Sequence, residues 1–96
     1  MRKVSIISGG SSGLGLAIAE LLVKAGKDVL ILGRNDEKLA RAAKLLSRIA
    51  DKEHVSTLVC NVGNETDVRN AGKFLQEHNI VTEYLFNNAG KGHFAP

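Results

Sequence analysis

Ser8-Gly9-Gly10-Ser11-Ser12-Gly13-Leu14-Gly15 places four glycines and three hydroxyl side chains within eight residues. It lies between a short β-branched run, Lys3–Ser8, and a helix-periodic one, Gly13–Ala25. A glycine string alone is a weak signal, but on a strand–turn–helix it has a mechanism. Gly9 permits a tight turn out of the strand. Gly13 lets a pyrophosphate approach the backbone, and Gly15 lets the helix pack close to the sheet. The unpaired N–H groups of the first helical turn then face the phosphates. A merely flexible connector is the competing reading, and the strand–helix alternation on both sides argues against it.

Other residue types capable of chemistry are sparse. Cys60 is the single cysteine and sits in an apolar run, so it is expected to be a small buried hydrophobe in a reduced, cytoplasmic protein. His54, His78 and His93 are scattered without metal-ligand spacing and are expected at the surface, so no metal site is expected. Tyr84 is the only tyrosine.

The elements that must position the glycine turn follow from hydrophobic period. Lys3–Ser8 (KVSIIS) predicts a strand. Gly13–Ala25 predicts a helix with positions 14, 18, 21, 22 and 25 on one face, closed by Gly26. Asp28–Gly33 (DVLILG) predicts a strand buried on both faces. Asn35 caps a second helix, with Asp36 and Glu37 in its first turn. That helix is expected to run to about Lys52, with Leu39, Ala42, Ala43, Leu46, Ile49 and Ala50 inward. Val55–Cys60 predicts a third strand. A third helix, capped by Asn64, turns Val68, Ala71, Leu75 and Phe74 inward. Glu83–Asn87 predicts a fourth strand. The β-α-β-α-β-α-β alternation implies right-handed crossovers and a parallel α/β sheet. The expected architecture is a Rossmann-like doubly wound sheet, truncated to four strands in order 3-2-1-4 with three helices, a single domain over 1–96.

Composition narrows the function. With 96 residues, 44% apolar and 24% charged, the chain suits one small folded domain rather than a disordered segment. The net charge of +3 is spread without a Lys/Arg block, and only four residues are aromatic, which argues against a nucleic-acid surface. It suits an anionic ligand. No apolar stretch approaches the roughly 18 residues of a membrane span.

The glycines fall as G-x-x-x-G-x-G, and Asn87-Asn88-Ala89-Gly90 follows the fourth strand. The two motifs, in this order and on these elements, resemble the short-chain dehydrogenase/reductase family. Its fingerprints are Thr-Gly-x-x-x-Gly-x-Gly after the first strand and Asn-Asn-Ala-Gly after the fourth. Ser8 replaces the threonine and keeps the hydroxyl. The resemblance covers the whole chain but only the N-terminal part of the family fold. It implies a dinucleotide cofactor and hydride exchange with a carbonyl or alcohol.

An acid at the end of the second strand selects NAD through the ribose hydroxyls, whereas a basic group accommodates a 2′-phosphate. This chain has Gly33-Arg34-Asn35, which looks like an NADP-preferring member, with NAD the lesser alternative. Asp36 is read as a helix N-terminal charge rather than a ribose acid. Ser11 or Ser12 can add a hydroxyl to the phosphate. Many family members carry Asp-Val after the third strand, where the carboxylate accepts from the adenine amino group. Asn61-Val62 stands here, and the Asn61 amide oxygen can accept the same bond. Asn87, Ala89 and Gly90 are expected to line the cofactor cleft while also bracing the sheet. The candidate cofactor residues are thus Gly9, Ser11, Ser12, Gly13, Leu14, Gly15, Arg34, Asn35, Asn61, Val62, Asn87, Ala89 and Gly90.

The family's catalytic tyrosine precedes a lysine by four residues. Asn88 stands four after Tyr84, so Tyr84 is expected to pack and no catalytic residue is expected in this chain, which should be inactive alone. The fourth strand would then lie at an open edge, with one sheet face only partly covered by the third helix, and self-association through that edge or that face is expected. The alternatives are a non-catalytic dinucleotide sensor, a split enzyme completed by another polypeptide, and an interaction module with a vestigial glycine loop. The substrate is not written in these residues.

Overall fold

The structure, a computed structural model, describes residues 2–11 and 13–87. β1 (Arg2–Ser8), α1 (Gly13–Lys24), β2 (Val29–Gly33), α2 (Asp36–Leu46), β3 (Val55–Val59), α3 (Glu65–Glu77) and β4 (Ile80–Asn87) alternate as expected. A 3₁₀ turn, Lys52–His54, leads into β3. The strands form one sheet in order β3-β2-β1-β4, every neighbouring pair parallel. This is the Rossmann-like arrangement anticipated from the sequence.

Strand alternation sends side chains to two cores. Ile7, Val29 and Ile31 meet α1 and α2 through Ala19, Val23, Leu39, Ala42 and Leu46. Val4, Ile6, Leu30 and Leu32 meet Cys60 and the half-buried Ala71, Phe74 and Leu75 of α3. Both faces of the two central strands are therefore apolar, which explains the unbroken VLIL of β2. Among the described residues no helix is long and apolar enough to cross a membrane.

Several expected boundaries and faces are corrected. On α1 the buried positions are Gly15, Ala19 and Val23, while Leu14 and Leu21 are 66% and 68% exposed. The small residues, not the largest apolar ones, face β1 because they let the helix lie close to the sheet. α2 stops at Leu46 rather than near Lys52. There the Ser47 hydroxyl donates to the Lys44 carbonyl, and Arg48 and Ile49 turn to the carbonyls three residues back. That tighter turn leaves Ile49 exposed. Val68, expected inward on α3, is also exposed. β4 begins at Ile80, three residues before the expected start, pairing Ile80 with Arg2.

The helix ends follow the sequence more closely. Gly26 adopts φ +79°, its N–H donating to Val23 O, while Lys27 N–H reaches Leu22 O. This pair of bonds is the Schellman closure that glycine favours. Asn35 Oδ1 accepts the Lys38 N–H and Asn64 Oδ1 accepts the Asp67 N–H, both at 3.0 Å.

Candidate cofactor site

All four strands end along one line. Ser8 pairs with Leu32 on one side and Asn87 on the other, and Gly33 pairs with Val59. The ladder continues one step past the strands, with Gly9 N–H on Leu32 O at 2.9 Å and Cys60 N–H on Gly33 O at 2.8 Å. The described candidates that follow β1, β2 and β3, with Asn87 at the end of β4, are thereby brought to one edge of the sheet.

Gly9 turns the chain out of β1 with φ +70°, and Gly13 starts α1 with φ +57°. Both lie in the left-handed region that glycine enters without a Cβ penalty. A Cβ on Gly15 would lie 2.2 Å from Gly9 O and 2.9 Å from Gly10 Cα. Gly15 therefore packs against the turn itself, not, as expected, against the sheet at large. Gly10, which the sequence reading left without a role, seats the turn on Ile31 and Ile7. Over Gly13, by contrast, a Cβ would meet nothing within 4 Å among the described residues, which leaves room there for a ligand.

Charge at the helix starts separates α1 from its neighbours. α2 has Asp36 and Glu37 in its first turn and α3 has Glu65 and Asp67, whereas α1 has no acid there. The positive end of the α1 dipole is left without a first-turn carboxylate of its own, beside the uncrowded Gly13. Leu14 stands exposed beside it, and Ser11 is half-buried in the turn.

Arg34 is exposed and has no ion-pair partner among the described residues. A side chain at Gly33 would press on Leu39 at 3.1 Å, so the position before Arg34 has little room for an acid. Asn35 lies next in line, but its side-chain oxygen is committed to capping α2. Asp36 sits in the first turn of α2, as the sequence reading preferred.

At the end of β4, the buried Ser8 hydroxyl donates to Asn87 Oδ1 at 2.8 Å. The substitution of serine for threonine thus leaves the hydroxyl in use, tying β1 to β4 at the turn. Asn61 is half-buried past β3, with its Oδ1 accepting the Gly63 N–H at 2.9 Å and its N–H donating to Asp67 Oδ2 at 2.8 Å. Asp67 was missed by sequence reasoning, although Asn64-x-x-Asp67 has the spacing of a capping box that would have drawn attention to it. Val62 turns into the α3-side core. Ser12, Ala89 and Gly90 lie outside the described residues.

The family model described as short chain dehydrogenase matches residues 3–96. The chain belongs to the short chain dehydrogenase family. Short-chain dehydrogenase reductase 3c of Arabidopsis thaliana is 38% identical over 88 residues, which are 92% of this chain and 33% of that protein. Among solved structures, an NADPH-bound short chain oxidoreductase from Pseudomonas aeruginosa PAO1, described as containing an atypical catalytic center, superposes with TM-score 0.84. It is 35% identical, over 93% of this chain and 35% of its own. L-sorbose reductase from Gluconobacter frateurii, complexed with NADPH and L-sorbose, also gives 0.84 at 32% identity, over 95% and 34%. The chain spans about a third of the length of the relatives it matches.

Within this family frame, two other expectations take a physical form. Tyr84 is half-exposed on β4, its ring centroid 6.3 Å from that of Phe86. His54 and His78 are engaged rather than free. His54 Nδ1 pairs with Asp28 at the opposite end of the sheet, and His78 Nδ1 meets the Phe74 carbonyl at 2.9 Å.

Proposed function

We propose that this chain is the NADP(H)-binding part of a short-chain dehydrogenase/reductase acting on a carbonyl or alcohol. The observation that carries it is the start of α1: two left-handed glycines, open space over Gly13 and no first-turn acid. That combination fits a pyrophosphate held by backbone N–H groups. Arg34, one strand over and unpaired among the described residues, fits the 2′-phosphate, and Leu39 crowds the position where an NAD-selecting acid would stand. The NADPH complexes of the two similar enzymes support the same reading.

When bound, the cofactor supplies a hydride. This chain's residues hold its phosphates at Gly9–Gly15, its ribose phosphate at Arg34 and its base beside Asn61. Proton transfer belongs to residues other than these, since Tyr84 packs with Phe86 and lacks the partner lysine. Without a positioned acid a reductase forgoes about 10²–10⁴-fold in rate, so the chain alone binds without turning over. The free, buried Cys60 suits a reducing cytoplasmic setting. Leu85, Tyr84 and Val81 are exposed on β4, one of the two outer strands among those described, which favours self-association along that edge.

Titration of the chain with NADPH and NADH, followed by nicotinamide fluorescence and melting temperature, tests this directly. NADPH is expected to bind and stabilise, by about 2.7 kcal/mol at a hundredfold excess over Kd. Arg34→Glu should lower NADPH affinity by about 10–100-fold and leave NADH nearly unchanged. Stabilisation by NADH alone would refute the assignment of Arg34. A monodisperse monomer at all accessible concentrations would refute self-association.

A further inference from the structure

β3 is an outer strand of the sheet, and its free edge is unguarded. Val55–Val59 (VSTLV) holds no charged residue and no proline, and it pairs with β2 in unbroken register. β4, the other outer strand among those described, shifts register against β1 between Val4 and Ile6. A regular, uncharged edge is the kind that accepts another strand. Cys60 N–H donates to Gly33 O. Bonding direction alternates along a strand, so Ser56 and Leu58 also face β2. Val55, Thr57 and Val59 therefore turn their N–H and C=O groups outward, where they meet no partner among the described residues.

Side chains alternate as well. Val55 packs on the α1/α2 core and Leu58 on the α3-side core, which puts Val55, Thr57 and Val59 on the α2 face. Val59 is 52% exposed. Beside Val55 lies a cleft of about 190 Å³, lined also by Ala43, Lys44 and Ser47. α2 runs antiparallel to β3, because it leads from the end of β2 back to the start of β3. Two residues of strand, about 6.6 Å, match about four residues of helix, so Ala40 lies level with Thr57. Asp36, Ala40 and Lys44 form one stripe at four-residue spacing, and Lys44 lines the cleft, so the stripe flanks the β3 edge. Asp36 and Lys44 are exposed, and neither has an ion-pair partner among the described residues.

Strand and stripe are self-complementary about the same point. We propose that a second copy of this chain docks on the β3 edge, antiparallel, about a two-fold axis through Thr57. Thr57 then opposes Thr57 of the second copy, and Val55 opposes Val59 of the second copy, each pair exchanging both backbone bonds. Directly opposed side chains share a face, so the exposed Val59 of each copy enters the cleft beside Val55 of the other. Asp36 of each α2 meets Lys44 of the other across Ala40. That charge match fits a second copy rather than an unrelated extended segment.

Sedimentation velocity on the full chain without nucleotide reads the association, with circular dichroism as the fold control. Wild type is expected to form a dimer. Val59→Lys sets a cation beside Lys44 of the other copy and should weaken the dimer by at least about tenfold. Lys44→Asp should weaken it by about tenfold, and adding Asp36→Lys in the same chain should restore it. Leu85→Lys, on the β4 edge, should leave it intact. A monomeric wild type overturns the proposal. So does a dimer that survives Val59→Lys, a folded double reversal that fails to restore association, or a dimer dissociated by Leu85→Lys. If Val59→Lys does not fold, the charge reversal decides.

Discussion

Alanine at Gly15 should be more damaging than alanine at Gly10 or Gly13. Its Cβ would lie 2.2 Å from Gly9 O and 2.8 Å from Gly9 C. Comfortable carbon–oxygen contact begins near about 3.3 Å, so α1 and the turn must separate by about 1 Å. Neither side yields easily. Gly9 is pinned to Leu32 O, and α1 is anchored through Ala19 and Val23. Overpacking costs typically about 1–3 kcal/mol, and contact with backbone on both sides puts this one at about 3 kcal/mol or more. That is a large part of the ~5–14 kcal/mol expected of a domain this size, and at ~4–8 °C per kcal/mol it lowers Tm by more than about 12 °C. Gly10→Ala is milder, because its nearest neighbours at 2.8 and 3.1 Å are the Ile31 and Ile7 methyls. Gly13→Ala meets no atom within 4 Å among the described residues and costs its left-handed backbone, about 1–2 kcal/mol. Urea unfolding followed by circular dichroism ranks the three. A smaller loss for Gly15→Ala than for Gly13→Ala would refute the close approach of helix and turn.

Further consequences can be checked in the same unfolding assay. Ser5 is fully buried and its hydroxyl has no hydrogen-bond partner among the described residues, so Ser5→Ala should raise stability by about 1 kcal/mol; a loss would mean that the hydroxyl is bonded. Burial pushes the Asp28 carboxyl up, but hydrogen bonds from His54 and Arg2 and the Coulomb attraction of both side chains outweigh it, holding Asp28 below the usual carboxylate range. Its stabilisation is complete above the unfolded-state value and is lost as pH falls through the lower folded one. Asp28→Asn should accordingly flatten the acid limb of the stability profile, and an unchanged limb would refute the pairing. Burial, and then the nearby Asp67 carboxylate, pushes the Cys60 thiol up. Thiol reagents at neutral pH should label it only as fast as the chain opens, and rapid labelling under native conditions would contradict that.

The helix and strand types and their order were legible because periodicity reports which faces must leave water. DVLILG could only be a strand covered on both sides, and Asn35 and Asn64 announced their helices by capping chemistry. The glycine turn was legible for the same local reason: Gly9 and Gly13 occupy backbone conformations that other residues resist. Periodicity failed where burial depends on shape. On α1 it favoured Leu14 and Leu21, yet Ala19 and Gly15 face inward because close approach to β1 and its turn needs small side chains. α2 ended early because one serine hydroxyl took a carbonyl, a choice invisible to an apolar count.

The residues themselves determined the parallel α/β order, the phosphate-suited turn and the absence of an acid at the end of β2, since each is a property of neighbours along the chain. Only the tertiary structure decided what Gly15 touches, that Ser8 holds Asn87 across β1 and β4, and that Asn61 turns its oxygen inward to Gly63. Those outcomes depend on distances between strand ends and on which partner reaches a lone pair first. No spacing along the chain encodes either.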